Sequence, residues 1–326
     1  MNFRTQVELP ERVTEIRYSD RLMLFGSCFV ENIGNLLATN KFVCDVNPYG
    51  VLYNPLSIAD GLRRILRNPV FTADELFPWQ GLWHSWMHHG SFSAASPEEC
   101  LERINARLQA ASEMLPVADW LIVTWGTAFV YKHEGKIVGN CHKLPAGEFD
   151  RFCVDADLIT ESWHYLLKDL KALNPKLKVL FTVSPIRHAK DGMHGNQLSK
   201  ARLLLAIEEL CRESGHCFYF PSYEILLDEL RDYRFYADDM LHPSPLAVEY
   251  IWECFGRCYF KDDTRHIMKE WQEIQKGLQH KPFHPESEAY RQFLSQIMLK
   301  IERMKEKFPY IKAQKETELC QTLLKI

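Results

Sequence analysis

The sequence lacks three features that would point to particular classes of protein: a long apolar run, an excess of positive charge and an internal repeat. No uninterrupted apolar stretch reaches the roughly 18 residues that a membrane-spanning helix needs, so we expect no membrane partner. Lys and Arg number 39 against 43 Asp and Glu, which gives a formal net charge of −4. Because the chain has no surplus of cations to displace counterions, we expect no nucleic-acid partner.

The start of the chain and its cysteines carry no sign of export. Residues 1–6 lack the charged start and apolar core of a secretory signal peptide. The 10 cysteines form no CxxC pair and no regular spacing, which predicts reduced thiols rather than a disulfide framework. The hydrophobic and charged fractions, 46% and 25%, are those of an ordinary globular protein. We therefore expect a folded cytoplasmic protein.

Short apolar runs alternate with amphipathic stretches along most of the chain. The apolar runs predict strands at 20–25, 42–46, 120–125, 177–183 and 217–220, and a hairpin at 129–138. The amphipathic stretches predict helices at 29–38, 56–66, 97–115, 159–173, 197–212, 222–231 and 245–255. This alternation, with connections long enough for crossovers, predicts a three-layer α/β domain with a mostly parallel sheet. Functional residues of such domains gather in loops after the carboxyl ends of strands.

The pattern changes after about residue 262. Charge-rich helices are predicted at 263–278, 285–304 and 311–326. We therefore expect two parts, a sheet domain over 1–261 and a helical C-terminal extension over 262–326. The extension either packs on the sheet domain or supplies a partner interface, and an oligomer could form through it.

Two of the predicted loops carry residues suited to acyl transfer. Ser27 follows the first strand and precedes a helix, where a tight turn can both present a nucleophile and bind an oxyanion. Cys28, beside it, is a second potential nucleophile, although a buried thiol is the simpler interpretation. Asp239 stands three residues before His242, so its carboxylate can orient the imidazole as a general base. In isolation, a capping serine and a surface histidine would explain the same residues.

The motifs around these residues resemble those of the GSCFA family. Residues 25–29 read Phe-Gly-Ser-Cys-Phe, and Val30 replaces the alanine that usually completes the family signature. Similar runs follow in order at 47–50, 54–55, 125–128, 140–143, 183–188, 195–200 and 239–243. The resemblance covers about residues 20–256 and leaves the helical extension outside. It implies a relationship to the SGNH, or GDSL-like, hydrolases, which are flavodoxin-like enzymes that cleave O-acyl esters with a Ser-His-Asp triad.

The resemblance also implies a role for each motif residue. Ser27 would be the nucleophile, His242 the general base and Asp239 the residue that orients it. The oxyanion hole would combine the Ser27 N–H, a loop glycine, for which Gly50 is the candidate, and an asparagine side chain.

The chain departs from the family pattern at the position of that asparagine. SGNH hydrolases usually have Gly-x-Asn after the third strand, but residues 126–128 read Gly-Thr-Ala. Thr127 could replace the missing donor, or Asn54 or Asn140 could reach in from another loop.

A cluster of histidines and aromatic residues at 83–89 has two interpretations. His84 and His88 are four residues apart, so they would share one face if the segment were helical. With Cys141 or His142 they could bind zinc, which would make the protein a metal-assisted hydrolase. Alternatively, the segment is an aromatic lid over the pocket, from which His84 would contact substrate. We expect the second arrangement, with no metal and no organic cofactor.

The loop after the fourth strand carries Arg187, His188 and His194. These side chains are candidates for binding an anionic or polyhydroxylated group of a substrate.

Taken together, the residues predict a serine hydrolase that cleaves a small acyl ester, such as an acetyl ester, on a carbohydrate or another small molecule. An acyltransferase would share the first half of this reaction, so the sequence leaves both open. The alternative from another class is a binding module that keeps the fold without useful hydrolysis.

Overall fold

The computed structural model describes residues 4–11 and 14–325. It divides into two compact units. The sheet unit contains Arg21–Gly34 and Cys44–Phe255, with the described part of the first eleven residues. The helical unit contains Asn35–Val43 and Gly256–Ile326, with the described part of residues 12–20. The expected C-terminal extension is thus joined, in its unit, by two segments from early in the chain.

The described residues form ten strands and ten helices, which are numbered in chain order. The strands are β1 Arg21–Gly26, β2 Val43–Val46, β3 Leu76–Trp79, β4 Leu82–Ser85, β5 Trp120–Trp125, β6 Phe129–His133, β7 Lys136–Val138, β8 Asp150–Cys153, β9 Lys178–Val183 and β10 Cys217–Phe220. The helices are α1 Cys28–Thr39, α2 Pro55–Arg67, α3 Pro97–Met114, α4 Ala156–Leu173, α5 Gly192–Glu213, α6 Ser222–Glu224, α7 Pro245–Tyr259, α8 Asp262–Gln279, α9 Glu288–Lys307 and α10 Gln314–Leu323.

The central sheet has five strands in the order β2-β1-β5-β9-β10. Its β1–β5, β5–β9 and β9–β10 pairs are parallel. Gly26, Thr124 and Thr182 lie in one row across β1, β5 and β9, so these strands end at the same edge. The chain winds outward in both directions from β1 and β5, and ligands of such sheets bind at this switch point.

Helices cover both faces of the sheet because its strands are apolar on both sides. Met23, Leu121 and Val179 belong to the main hydrophobic core, which also takes in the buried residues of α2, α3, α4 and α5. Their neighbours Leu24, Ile122 and Leu180 point to the opposite face, where they meet residues of α1 and α7. This period-two division gives three layers and confirms the predicted α/β architecture.

Two small antiparallel sheets complete the sheet unit. One pairs β3 with β4, and the other has the order β7-β6-β8. Only the β6–β7 hairpin was expected. The predicted helix over 222–231 was wrong in part, because α6 makes a single turn and a π-helical turn follows at Ile225–Glu229. All ten cysteines are free thiols.

The helical unit is held together by a buried seam between α8, α9 and α10. Trp271, Leu294 and Cys320, one from each helix, are completely enclosed. Trp271 donates its indole hydrogen bond to the carbonyl oxygen of Thr39 at 2.9 Å. An ion pair joins the same early segment to α10, because Lys41 lies 2.7 Å from Glu316. Among the described residues, no helix of either unit is long and apolar enough to cross a bilayer.

Candidate active site

Ser27 lies at the turn where β1 passes into α1. Gly26 adopts a φ of +143°, and a Cβ atom there would stand 2.2 Å from the carbonyl oxygen of Thr124 on the neighbouring strand. Only glycine fits such a close approach of two backbones. The Gly26 N–H donates to Oδ1 of Asn47 at 2.9 Å, which fixes the turn from the other side. Ser27 is thereby presented at the switch point of the sheet, before the positive end of a helix.

The Ser27 hydroxyl is recessed, since the residue is 1% exposed. Its Oγ accepts a long hydrogen bond of 3.4 Å from the N–H of Phe29. No hydrogen bond joins it to His242 among the residues that the structure describes. Cys28 is partly exposed beside it, with Sγ 3.7 Å from the hydroxyl of Tyr53.

Asp239 and His242 form the predicted pair in the loop before α7. Oδ2 of Asp239 lies 2.5 Å from Nδ1 of His242. Oδ1 accepts the backbone N–H groups of Leu241 and His242, each at 2.9 Å. These hydrogen bonds lower the pKa of Asp239 to about 2, the two backbone donors contributing most. The carboxylate therefore stays ionised near neutral pH, holds Nδ1 in its protonated form and leaves Nε2 as the acceptor.

A cleft of about 510 Å³ brings Ser27 and His242 together. Its walls come from the ends of β1, β5 and β9, from the loop after β2, from β6 to β8, and from the His242 loop. Arg187 joins two of these walls, because its N–H donates to the carbonyl oxygen of Leu241 at 3.3 Å. The two residues predicted to exchange the proton thus line one cavity, although they are more than 200 positions apart in the sequence.

Gly50 does not contribute to this cleft. Its N–H donates to the carbonyl oxygen of Asn47 at 2.8 Å, within its own turn. It is also packed against His89, where an added Cβ would lie 2.3 Å from the histidine Cβ. The structure therefore corrects this part of the predicted oxyanion hole, because the amide is already engaged and faces another part of the unit.

Thr127 and Asn54 line the cleft, but their side chains are engaged locally. The hydroxyl of Thr127 accepts the Phe129 N–H at 3.1 Å and lies 3.1 Å from that of Ser199. Asn54 is the N-cap of α2, where Oδ1 accepts the Ser57 N–H at 2.8 Å and Nδ2 donates to the Ser57 hydroxyl at 2.9 Å. Both side chains have clear structural roles.

Asn140 differs from the other candidates because its amide nitrogen has no protein partner among the described residues. Oδ1 accepts the N–H of His142 at 2.8 Å, which fixes the side chain, and the residue lines the cleft. Its backbone N–H donates to the carbonyl oxygen of Trp86 at 3.2 Å. The loop thus holds Asn140 in place and leaves the Nδ2 hydrogens available.

The histidines at 84–88 lie outside the cleft. The segment is strand β4 followed by a turn, not a helix, so His84 and His88 do not share a helical face. His84 contacts the Ser93 hydroxyl at 2.6 Å and the Trp79 carbonyl oxygen at 3.0 Å. It does not line the cleft, so neither the substrate contact nor the lid predicted there is found.

His88 and His142 are buried with His84 in what we call the histidine cluster (His84, His88 and His142). Burial lowers the pKa of His88 to about 3 and that of His142 to about 4. Nε2 of His142 lies 2.8 Å from the carbonyl oxygen of Ser85, which anchors the loop that carries Asn140. No set of three metal-binding side chains converges within the described chain, here or elsewhere.

The loop after β9 contributes two of the three residues predicted to bind substrate. Arg187 and His188 line the cleft, whereas His194 is exposed on the first turn of α5 and does not. Burial lowers the pKa of His188 to about 4, and the charge of Lys200 adds to this effect. His188 is therefore neutral at physiological pH.

Sequence reasoning missed several residues of the cleft. Arg151 and Tyr131 reach it from the small β7-β6-β8 sheet, and Lys190 follows His188 in its loop. Arg151 forms an ion pair with Asp191, and Lys190 donates to the Tyr131 hydroxyl at 2.7 Å. The strand that carries Arg151 has no alternating apolar pattern that could have revealed it.

Lys200 is a further missed residue, completely enclosed beneath the cleft. Its ammonium group donates to the carbonyl oxygens of Gly126 at 2.7 Å and Ser184 at 2.6 Å, which ties together the loops after β5 and β9. Burial lowers its pKa to about 7, and the nearby charge of Arg187 acts in the same direction.

Comparisons with known proteins identify the family. A model of the GSCFA family matches residues 21–255, which is more than half of the chain. The chain therefore belongs to the GSCFA family, as its motifs predicted. A second model, described as GSCFA domain protein, C-terminal domain, matches residues 271–326, within the helical unit.

The more distant comparisons add little. No curated protein matches the chain. Among solved structures, the chain is similar to "a carbohydrate esterase family 3 from Talaromyces cellulolyticus", at 11% identity and a TM-score of 0.33. That match covers 77% of this chain and 99% of the other.

Proposed function

We propose that the protein is a serine hydrolase of the SGNH type that cleaves an O-acyl ester. Ser27 is the nucleophile, His242 the general base and Asp239 the residue that orients it. The observation that carries the proposal is the Asp239–His242 pair. His242 lines the same cleft as Ser27, and its Nε2 has no hydrogen-bond partner among the described residues. A carboxylate-oriented imidazole beside a serine at a strand–helix turn is the arrangement that activates a hydroxyl for acyl transfer.

The reaction proceeds in two halves. Oγ of Ser27 attacks the ester carbonyl carbon as Nε2 of His242 takes the hydroxyl proton, which gives a tetrahedral oxyanion. The bond to the alcohol breaks as His242 returns that proton to the departing oxygen, and the acyl group remains on Ser27. Water then attacks the acyl-enzyme, with His242 again as base, and releases the carboxylic acid. The hydrogen bond between Ser27 and His242 would form as substrate binds, since such bonds often tighten only then.

The oxyanion is stabilised by the N–H of Ser27 and by the side chain of Asn140. Asn140 is favoured over Thr127 and Asn54 because its Nδ2 is free and its Oδ1 is fixed by His142. A preorganised amide donor of this kind typically contributes about 10²–10³ in rate. The cleft suits a small acyl group such as acetyl on a carbohydrate or related alcohol, and the chemistry requires no metal or organic cofactor.

A fluorophosphonate probe tests the proposal directly, because it reacts preferentially with an activated serine. We expect intact-mass measurement to show one adduct per chain in the wild type and none in Ser27→Ala or His242→Ala. Ser91→Ala, which removes a hydroxyl outside the cleft, is the matched control and should label fully. Cys28→Ala should also label, because the thiol is not the nucleophile.

Two other outcomes would overturn the assignment. Labelling that persists in Ser27→Ala would mean that another residue is the nucleophile. A folded wild type that does not label would favour the binding module, which could occupy the same cleft without turnover. Circular dichroism of each variant establishes that loss of labelling is not loss of folding.

A further inference from the structure

Arg187 is the one cation lining the cleft for which the described residues provide no side-chain hydrogen bond or acidic partner. Its backbone N–H is engaged, but its guanidinium forms neither. Its Nε is completely enclosed and has no hydrogen-bond partner. The next residue shows the same feature, because Nε2 of His188 is also enclosed and unpartnered.

The other cations of the region are all engaged. Arg151 is neutralised by Asp191, Lys190 donates to Tyr131, and Lys200 donates to two carbonyl oxygens. Asp191 is the sole acidic residue among the side chains that line the cleft. Its partner is Arg151, so no acid remains for Arg187, and the cleft has a net positive charge.

An enclosed donor without an acceptor destabilises the folded protein, because its hydration is lost and nothing replaces it. An unpaired buried polar group calls for a physical explanation, and an ion bound beside it is one such explanation. The guanidinium is a planar fork that matches two oxygens of a carboxylate or phosphate, and such charge-assisted pairs are among the strongest hydrogen bonds. The neutral imidazole of His188 can supply one further hydrogen bond without adding charge.

We propose that Arg187, assisted by His188, binds an anionic group carried by the ester substrate, either a carboxylate or a phosphate. The inference rests on the proposed function, because it names the class of substrate for the same cleft. Arg187 adjoins the His242 loop through its hydrogen bond to Leu241, so the anionic group and the ester would belong to one small molecule, such as an O-acylated sugar acid or sugar phosphate.

Binding without turnover separates this inference from the hydrolase assignment. The probes are galacturonate, galactose and inorganic phosphate, titrated calorimetrically into wild type, Arg187→Gln, Arg187→Lys and the control Arg212→Gln. Arg212 is an exposed arginine of α5 outside the cleft, paired with Glu209. We expect galacturonate or phosphate to bind the wild type and Arg212→Gln, and galactose to bind more weakly. Affinity should fall by about 10- to 100-fold in Arg187→Gln, the usual effect of losing a charge-assisted pair.

Arg187→Lys should bind the anion more tightly than Arg187→Gln but more weakly than the wild type. The lysine keeps the positive charge, but it lacks the planar pair of N–H donors that the guanidinium provides. The melting temperature provides a second readout. Arg187→Gln should melt at or above the wild-type temperature in the absence of anion, since it removes an unpartnered enclosed donor. A clear fall in melting temperature would assign Arg187 a structural role and overturn the inference.

The choice between the two anions follows from which probe binds. Binding of galacturonate alone identifies a carboxylate, and binding of phosphate alone identifies a phosphoryl group. Failure of both anions at millimolar concentration, or equal binding to Arg187→Gln, would overturn the anion site. Fluorophosphonate labelling of the wild type reports separately on the hydrolase. Labelling without anion binding refutes only the anion site, whereas anion binding without labelling refutes only the hydrolase.

Discussion

The sheet unit contains two histidine sites that differ in almost every physical respect. His242 is half-exposed, forms a 2.5 Å contact with an ionised carboxylate and lines the cleft. The histidine cluster is buried, contains no carboxylate and packs against aromatic rings, with His88 stacked on Tyr49 at 4.6 Å between ring centroids. Burial lowers the pKa of His88 and His142 well below the usual range, so both remain neutral.

The difference shows what makes a histidine chemically useful. A general base must take up and release a proton near neutral pH, which requires solvent access and a partner that stabilises the imidazolium. The side chain of His242 is about half exposed, and Asp239 is its partner. A buried imidazole without an acid lacks both and serves as a hydrogen-bonding core residue. A segment rich in histidines is therefore a poorer guide to function than a single histidine that has a carboxylate three residues before it.

The largest effect that would test this contrast is expected from His242→Ala. Removing the general base of such a triad should lower kcat/KM for an acyl ester by at least about 10⁴-fold. His88→Phe, which keeps an aromatic ring in the cluster, should leave kcat/KM at pH 7.5 unchanged. Steady-state hydrolysis of 4-nitrophenyl acetate by both variants makes the comparison. A similar loss in both would erase the distinction between the two sites.

A somewhat smaller loss is expected from Asp239→Asn. The amide cannot stabilise the imidazolium and favours the wrong tautomer of His242, so kcat should fall by about 10²- to 10⁴-fold. Folding should be preserved, because both side chains of the pair are about half exposed. Burst and steady-state kinetics, together with the melting temperature, provide the measurement. Wild-type turnover in this variant would exclude Asp239 from the triad.

Asn140 lines the cleft and contacts the histidine cluster, because its Oδ1 accepts the N–H of His142. The Asn140→Ala substitution should have the next largest effect on activity. Loss of one oxyanion donor should lower kcat by about 10²- to 10³-fold with little change in KM. Asn140→Asp is a matched control, since it keeps the acceptor for the His142 N–H and removes the amide donor. Both variants should therefore lose activity alike. Full activity in Asn140→Asp would show that the side chain only fixes its own loop.

The last test concerns stability rather than activity, through its dependence on pH. The folded-state pKa values of His88, His142 and His188 lie near 3, 4 and 4, below the unfolded value of about 6.5. Between these limits the unfolded chain binds more protons, so the free energy of unfolding falls as pH drops below 6.5. Each histidine that stays neutral contributes about 1.4 kcal/mol per pH unit.

Urea unfolding between pH 7 and pH 4 measures this slope, and His88→Phe should make it shallower. The same variant retains the stacking on Tyr49 and Phe71, so its stability at pH 7 should be close to that of the wild type apart from the lost hydrogen bond to Ser85. An unchanged slope in His88→Phe would mean that His88 takes up its proton in the folded state.

Local patterns were enough to predict the architecture. The apolar runs over 120–125 and 177–183 gave β5 and β9, and the helical periodicity over 97–115 and 159–173 gave α3 and α4, with boundaries differing by at most a few residues. The π-helical turn after α6 was not predicted, because helical periodicity in a sequence does not distinguish α-helical from π-helical hydrogen bonding. The β8 strand is short and largely exposed, so it carries no apolar signal.

The candidate site was accessible from the sequence only where neighbouring residues act together. Asp239 and His242 belong to one turn, and Ser27 belongs to one strand–helix junction, so local spacing pointed to acyl-transfer chemistry. The resemblance to the GSCFA family then implied the role of each residue. The proposed donors of the oxyanion hole come from separate loops. Gly50, the candidate by position, donates its N–H within its own turn. Which of Thr127, Asn54 and Asn140 keeps a free donor depends on hydrogen bonds that no local pattern encodes.

The sequence by itself determined the alternation of strands and helices, the tight turn at Gly26 and the pairing of an acid with His242, because each depends on residues a few positions apart. The tertiary structure decided that Ser27 and His242 share a cleft, that the histidine cluster lies outside it, and that Arg187 has no acidic partner within the described chain. These facts depend on strand order and on burial. Both arise from contacts between distant segments, whose energies no short stretch of sequence contains.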